Sequence, residues 1–199
     1  MMVPRCECLN MHTDNPMRRS AHWFHFSVIL ILLFPSCATL GNDQTAQGRG
    51  DVTIIEDVPF YPGEDYQCGP ASLAGVLNYW GVTVSPGDIA REIFSPSAGG
   101  TLNFDMSLYV RSRDLQALQY SGTIEDLKEK ITSSYPLIVL VDYGFSIYQV
   151  NHFMVVVGFT DEGVVVNTGR EERRLIPSRD FLKAWKRTKY WTLLISPQP

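Results

Sequence analysis

Cysteine and histidine are scarce in this 199-residue chain, which has four of each, and three of each fall before residue 38. Cys68 and His152 are the ones that remain. That scarcity excludes an internal disulfide and a Cys/His zinc site beyond residue 37, and Cys6, Cys8 and His12 find no second ligand pair downstream to complete a metal site. A glycine-rich phosphate loop of the Walker type is also missing, so the chain is not read as an ATPase. Basic charge is not in excess: residues 38–199 hold 14 Lys+Arg and 19 Asp+Glu, a net of 14 − 19 = −5, which makes nucleic acid a poor partner. The longest apolar run, residues 26–34, falls short of the roughly 20 residues of a permanent membrane span. Internal repeats and low-complexity tracts are lacking, and nothing in the pattern asks for a cofactor or a metal.

The chain opens with segments that do not read as domain material. Arg18 and Arg19 form a basic lead-in, residues 26–34 are apolar apart from Ser27, and Pro35-Ser36-Cys37-Ala38 ends in small residues. This is the layout of a bacterial secretion signal, for which Met17 is a better start than Met1. Phe34-Pro35-Ser36-Cys37 resembles the lipobox of bacterial lipoproteins, which implies that Cys37 is lipidated and becomes the first mature residue. The alternative is an ordinary cleaved signal with Cys37 incidental. Ala38, in place of an acidic residue, implies by the same resemblance the outer membrane, facing the periplasm. Residues 39–50 are polar and carry glycine, the composition of a tether. The expected division is an upstream segment and signal over 1–36, a flexible tether over 37–51, and a folded domain over 52–199.

Within the domain, Leu73, Val76, Leu77 and Trp80 recur at helical spacing, Pro70 suits a first helical turn, and Gly81 suits the helix end. A helix therefore opens at or just after Cys68. Residues 52–55 and 58–62 are extended before it. Ser85 with Asp88 resembles a capping box for a short helix burying Ile89 and Ile93. Residues 95–100 read as a loop, Thr101 as the cap of a third helix burying Leu102, Met106, Tyr109 and Val110, and 115–120 as a strand. Thr123 with Asp126 caps a fourth helix carrying Ile124, Leu127 and Ile131. Residues 137–141, apolar on both faces, predict a central strand. Residues 153–159 and 164–166 predict a hairpin around the tight-turn composition of 160–163. A weak strand at 173–177, a helix from Ser178 with Phe181, Leu182 and Trp185 inward, and a strand at 190–195 that closes the sheet complete the order. Helices first and strands later predict an α+β domain.

The chemistry follows from the two scarce residues. A cysteine at a helix start meets unpaired N–H groups and the positive end of the helix dipole, which favour the nucleophilic thiolate. Its other reading is a small apolar residue packed under the helix. His152 stands where a loop enters the predicted hairpin, and an imidazole there can take the thiol proton and return it to a leaving group. Cys68-Gly69-Pro70-Ala71 opening a helix, the apolar strand at 137, and Asn151-His152-Phe153 running on to Gly158-Phe159 together resemble the papain-like cysteine peptidases of the double-glycine, or bacteriocin, leader peptidase family. Free-standing exported relatives look closer than transporter-fused ones. The resemblance implies a papain-like α+β fold with the cysteine on its helical part and the histidine on its antiparallel sheet. It further implies Cys68 as nucleophile, His152 as general base and acid, and a peptide or protein as substrate. A third residue then orients the imidazole: Asn167 offers the chemistry, and Thr168 takes the place if the turn is one residue longer. Relatives carry an oxyanion glutamine five or six residues before the cysteine, where Pro62 and Gly63 stand here, so Gln67 becomes the candidate donor. The expectation is an exported thiol hydrolase acting on a peptide or amide bond. A peptidase-fold module that binds without turnover, and a thioester-forming acyl transferase, remain as alternatives. The run Arg170, Arg173, Arg174, Arg179, Lys183, Lys186, Arg187 and Lys189 is either solvated surface or the site of an anionic partner.

Overall fold

The computed structural model describes residues 52–63 and 67–198. Cys6, Cys8, His12, Cys37 and the segments read as signal and tether lie outside the described residues. Among the described residues no helix is long and apolar enough to cross a membrane.

The first short strand, β1 (Thr53–Ile54), leads to α1 (Cys68–Tyr79), a helix with nine consecutive buried residues from Gly69 to Leu77. Next comes α2 (Pro86–Ile93), where the Ser85 side chain accepts from the Asp88 N–H and the Asp88 carboxylate returns to the Ser85 backbone. That capping box is the one its spacing predicts, with Ile89 and Ile93 turned into the core.

Residues 94–101 are not the simple loop that their composition suggests. They form a two-stranded hairpin, β2 (Phe94–Ser95) with β3 (Gly100–Thr101), and strands this short carry no readable period. Thr101 is therefore a strand residue paired with Phe94 rather than a helix cap. The following helix, α3 (Asn103–Arg111), is flanked by Leu102, extended and half-exposed instead of buried. Met106, Tyr109 and Val110 do turn inward.

The remaining elements follow the expected order. They are β4 (Leu115–Ser121), α4 (Ile124–Thr132) capped by Thr123, β5 (Leu137–Asp142), β6 (Asn151–Phe159), β7 (Gly163–Thr168), β8 (Glu171–Pro177), α5 (Ser178–Arg187) and β9 (Trp191–Pro197). In α5 the spacing i, i+3, i+4 places Phe181, Ala184 and Trp185 inward, which leaves Leu182 on the outer side, contrary to its expected burial.

The strands join in one antiparallel sheet ordered β4-β9-β5-β6-β7-β8, with β1 added to the far end of β6. Every residue of β5 is buried, as a run apolar on both faces requires. The strand at 191–197 does not close an edge: it is inserted between β4 and β5. The outer strand β8 exposes Glu171, Glu172, Arg173 and Arg174, charges that discourage further strand pairing. α1 packs on β6, which brings the start of the helix to the sheet strand that begins with Asn151-His152. The fold is α+β and papain-like, as the sequence pattern implies.

Candidate active site

Cys68 is the first residue of α1, half-buried. Gln67 holds the cap position without a side-chain cap bond, and its carbonyl accepts the Ala71 N–H at 2.9 Å. Pro70 has no N–H, so the N–H groups of Cys68 and Gly69 are the donors at the helix start, where the dipole is positive. Gly69 is dictated by packing: a Cβ there would lie 2.9 Å from Thr101 Cβ and 3.0 Å from its Oγ1. The β2–β3 hairpin thus presses on the backbone beside the cysteine, and only glycine admits it.

Cys68 lines a cleft whose near wall includes Tyr61, Gly63 and Ser72 and whose far wall includes Phe153, Val155, Asn167 and Thr168. The Gly63 N–H donates to the Gly169 carbonyl at 2.9 Å and ties the two walls together at one end. His152 joins this far wall through Thr168: its Nε2 lies 2.8 Å from Thr168 Oγ1. The Tyr143 ring lies beside the imidazole, 6.5 Å between centroids.

Of the two candidates for a third residue, it is Thr168 that touches the histidine. Asn167 is buried, and its Oδ1 accepts the N–H of Arg173 at 2.9 Å. Arg173 sits in the left-handed region, φ 52°, and the β7–β8 register shifts between Val166 and Thr168. That irregularity puts the extra residue on β8, where the Asn167 amide holds it; the two β7 positions are exchanged by the bulge on β6 between Val156 and Gly158, which pairs Asn167 with Val155 and leaves Thr168 on the face of His152.

Gln67 is exposed at the helix cap and does not line the cleft. Gly63 does line it, and a Cβ added there would meet Ala71 Cβ at 3.7 Å and Cys68 N at 3.8 Å, ordinary contacts. Gly63, one of the two positions where the resemblance implies a glutamine, therefore lies beside the cysteine backbone N–H, with room for a side chain.

Sequence reasoning passed over the group that holds the chain in front of His152. Asp142, buried at the end of β5, accepts the N–H groups of Gly144 at 2.7 Å and Val150 at 2.8 Å through Oδ1, and Arg187 Nε at 2.9 Å through Oδ2. The signal was an acid closing an otherwise apolar central strand, a residue type that is seldom buried unless paired.

A helix presenting a cysteine to an antiparallel sheet that carries a histidine defines a papain-like cysteine peptidase architecture. The chain belongs to the Peptidase_C39 like family, whose model matches residues 55–192. No curated protein matches it. Among solved structures it is similar to a protein described as a C39-like peptidase from Bacillus anthracis, at 19% identity and TM-score 0.63, covering 74% of this chain and 98% of that one. It is also similar to the peptidase domain of Streptococcus ComA, a bifunctional ABC transporter involved in a quorum sensing pathway, at 20% identity and TM-score 0.58, covering 71% and 99%. A double glycine motif protease from an AMS/PCAT transporter, solved in complex with a leader peptide, matches at 24% identity and TM-score 0.57, covering 77% and 96%. Likeness at these identities shows the fold, and the chain is a cysteine peptidase or a peptidase-like module.

Proposed function

We propose that the protein is an exported thiol hydrolase that cleaves a peptide or amide bond, with Cys68 as nucleophile, His152 as general base and acid, and Thr168 as the residue that positions the imidazole. The observation that carries this reading is the shared cleft: Cys68 at a helix N-terminus on one wall, and on the other Thr168, bonded to His152 Nε2. With Nε2 held by Thr168, Nδ1 serves as the base toward the thiol. The thiolate adds to the substrate carbonyl, the imidazolium returns the proton to the leaving amine, and water, deprotonated by the same ring, resolves the thioester. The N–H groups at the start of α1 supply oxyanion donors.

Alkylation of Cys68 by iodoacetamide as a function of pH tests the pair. The thiol should titrate well below the free-cysteine value of about 8.5, and His152→Ala should raise it. Alkylation that follows free cysteine in both proteins rules the pair out. Residues 17–37 support export with a lipid on Cys37, and Ala38 supports an outer-membrane anchor that faces the periplasm. Cys37→Ser should release the protein from the membrane fraction or leave its signal uncleaved, and a wild-type protein found wholly soluble refutes the lipid.

One observation favours a second reading, a module that binds peptides without turnover: Gly63 leaves empty the place of the relatives' oxyanion glutamine. Losing one such donor costs about 100- to 1000-fold in turnover. Gly63→Gln should restore turnover of a peptide ester if the site is a weakened enzyme. Fast alkylation with no turnover in either protein makes it a binding module.

A further inference from the structure

The segment 143–150 between β5 and β6 combines a fixed backbone with unsupported side chains. Its base is held by the two N–H bonds to Asp142 Oδ1, by the Tyr143 N–H to the Val150 carbonyl at 2.9 Å, and by the Tyr148 N–H to the Phe145 carbonyl at 3.0 Å. Arg187, paired with Asp142, donates through Nη2 to the carbonyls of Ser146 at 3.3 Å and Tyr148 at 3.4 Å. Gly144 lies so close under the Tyr148 carbonyl that no side chain fits there. On this frame Phe145, Ile147 and Tyr148 stand 84%, 85% and 72% exposed. Apolar groups that project this far contribute nothing to the core, and a backbone this constrained cannot fold them back.

Arg187 also fixes what stands beside that tip. It belongs to the last turn of α5, and Lys183, Lys186 and Lys189 around it are exposed and form no ion pair among the described residues. The end of α5 that Arg187 binds to the tip thus carries three cations without an ion pair among the described residues, while Glu171 and Arg174 act on Tyr143 at the base of the segment. We infer that the 143–150 tip docks on an anionic bilayer surface, with Phe145, Ile147 and Tyr148 entering the boundary between headgroups and acyl chains and Lys183, Lys186 and Lys189 lying against anionic headgroups. A bilayer suits this surface better than a folded partner or a peptide does. Side chains exposed to this degree have no neighbours to form a groove wall, and a fluid interface needs none. His152 follows Val150 by two residues, so docking brings the start of β6 that carries it toward the membrane. The inference does not rest on the hydrolase reading.

The test reads the tip itself, so an anchor elsewhere in the chain does not confound it. Phe145→Trp in the full chain is mixed with vesicles of phosphatidylcholine, alone or with phosphatidylglycerol, carrying brominated acyl chains. The parent's emission is subtracted to remove its own tryptophans. The indole introduced at the tip should be quenched in the anionic vesicles at least about threefold more than in the neutral ones, because headgroup charge supplies part of the attraction. Replacing Lys183, Lys186 and Lys189 with Glu in the same protein should abolish the difference while thermal unfolding and Cys68 alkylation stay unchanged. A tip indole left unquenched in both vesicles, or quenching indifferent to lipid charge and to the Lys→Glu changes, overturns the inference. Self-association in solution that Phe145→Ser abolishes, with no quenching, overturns it in favour of a second copy of the chain.

Discussion

Thr168 and Asn167 are neighbours with different partners, and each makes its own prediction. Thr168→Val keeps the volume and removes the hydroxyl that holds His152 Nε2. Turnover should fall by about tenfold or more, the scale on which orientation of a general base acts, with the melting temperature little changed. Asn167→Ala should behave in the opposite way. It leaves the Arg173 N–H without its acceptor, which costs about 1–3 kcal/mol in denaturant unfolding, while the His152 contact is untouched. A Thr168→Val protein with full activity would remove Thr168 from the site. Cys68 and His152 stood out as candidates because so few residues could compete with them and because Cys68 opens a periodic apolar stretch. The choice between 167 and 168 was not legible, because the bulge on β6 between Val156 and Gly158 leaves no mark in composition. Asp142 escaped notice for a different reason: its charged partner is Arg187, 45 positions away, and its other partners are backbone N–H groups that composition does not show.

At the scale of elements, the contact between the end of α5 and the segment before β6 decides how firmly His152 is presented. The Asp142 side chain is 1% exposed and that of Arg187 30%. Removing one member of a buried pair costs about 3–5 kcal/mol, and the access of Arg187 to water lowers our expectation for Asp142→Asn to about 2 kcal/mol. Amides of 143–150 should then exchange faster than those of β5 and β6, as measured by hydrogen exchange. Arg187→Lys should not substitute, since a single ammonium cannot reach the carboxylate and the Ser146 and Tyr148 carbonyls together. Unchanged exchange in both variants would show that the segment is held by other means. Elements with a cap or a period were readable: Ser85 and Thr123 each accept the N–H three residues on, where an acid or its neighbour predicts it. The β2–β3 hairpin was not, and with it went the reason for Gly69.

For the molecule as a whole, buried tyrosines should weaken the fold on the alkaline side. Burial raises the pKa of Tyr120, helped by its hydrogen bond to Asp126; burial likewise raises Tyr79, helped by Asp57, and Tyr143. A raised folded value means that the unfolded chain releases its proton first, near the ordinary value of about 10. Stability should therefore hold below about pH 10 and fall as pH rises through the folded values, and Tyr120→Phe should flatten that fall in denaturant titrations at successive pH. A wild-type curve without an alkaline decline would remove this account. The position of β9 has a consequence in time. Among the described residues β4 pairs with the rest of the sheet only through β9, and β5 has β9 along one side. A chain that emerges from a ribosome or a pore with its N-terminus leading shows β4 and β5 long before residues 191–197 arrive, and until then the halves of its sheet stay unjoined. Strand order alone should therefore delay completion of the sheet until the whole chain has emerged. Stalled chains ending at residue 190 should be digested by protease as readily as an unfolded chain, and chains released at full length should resist.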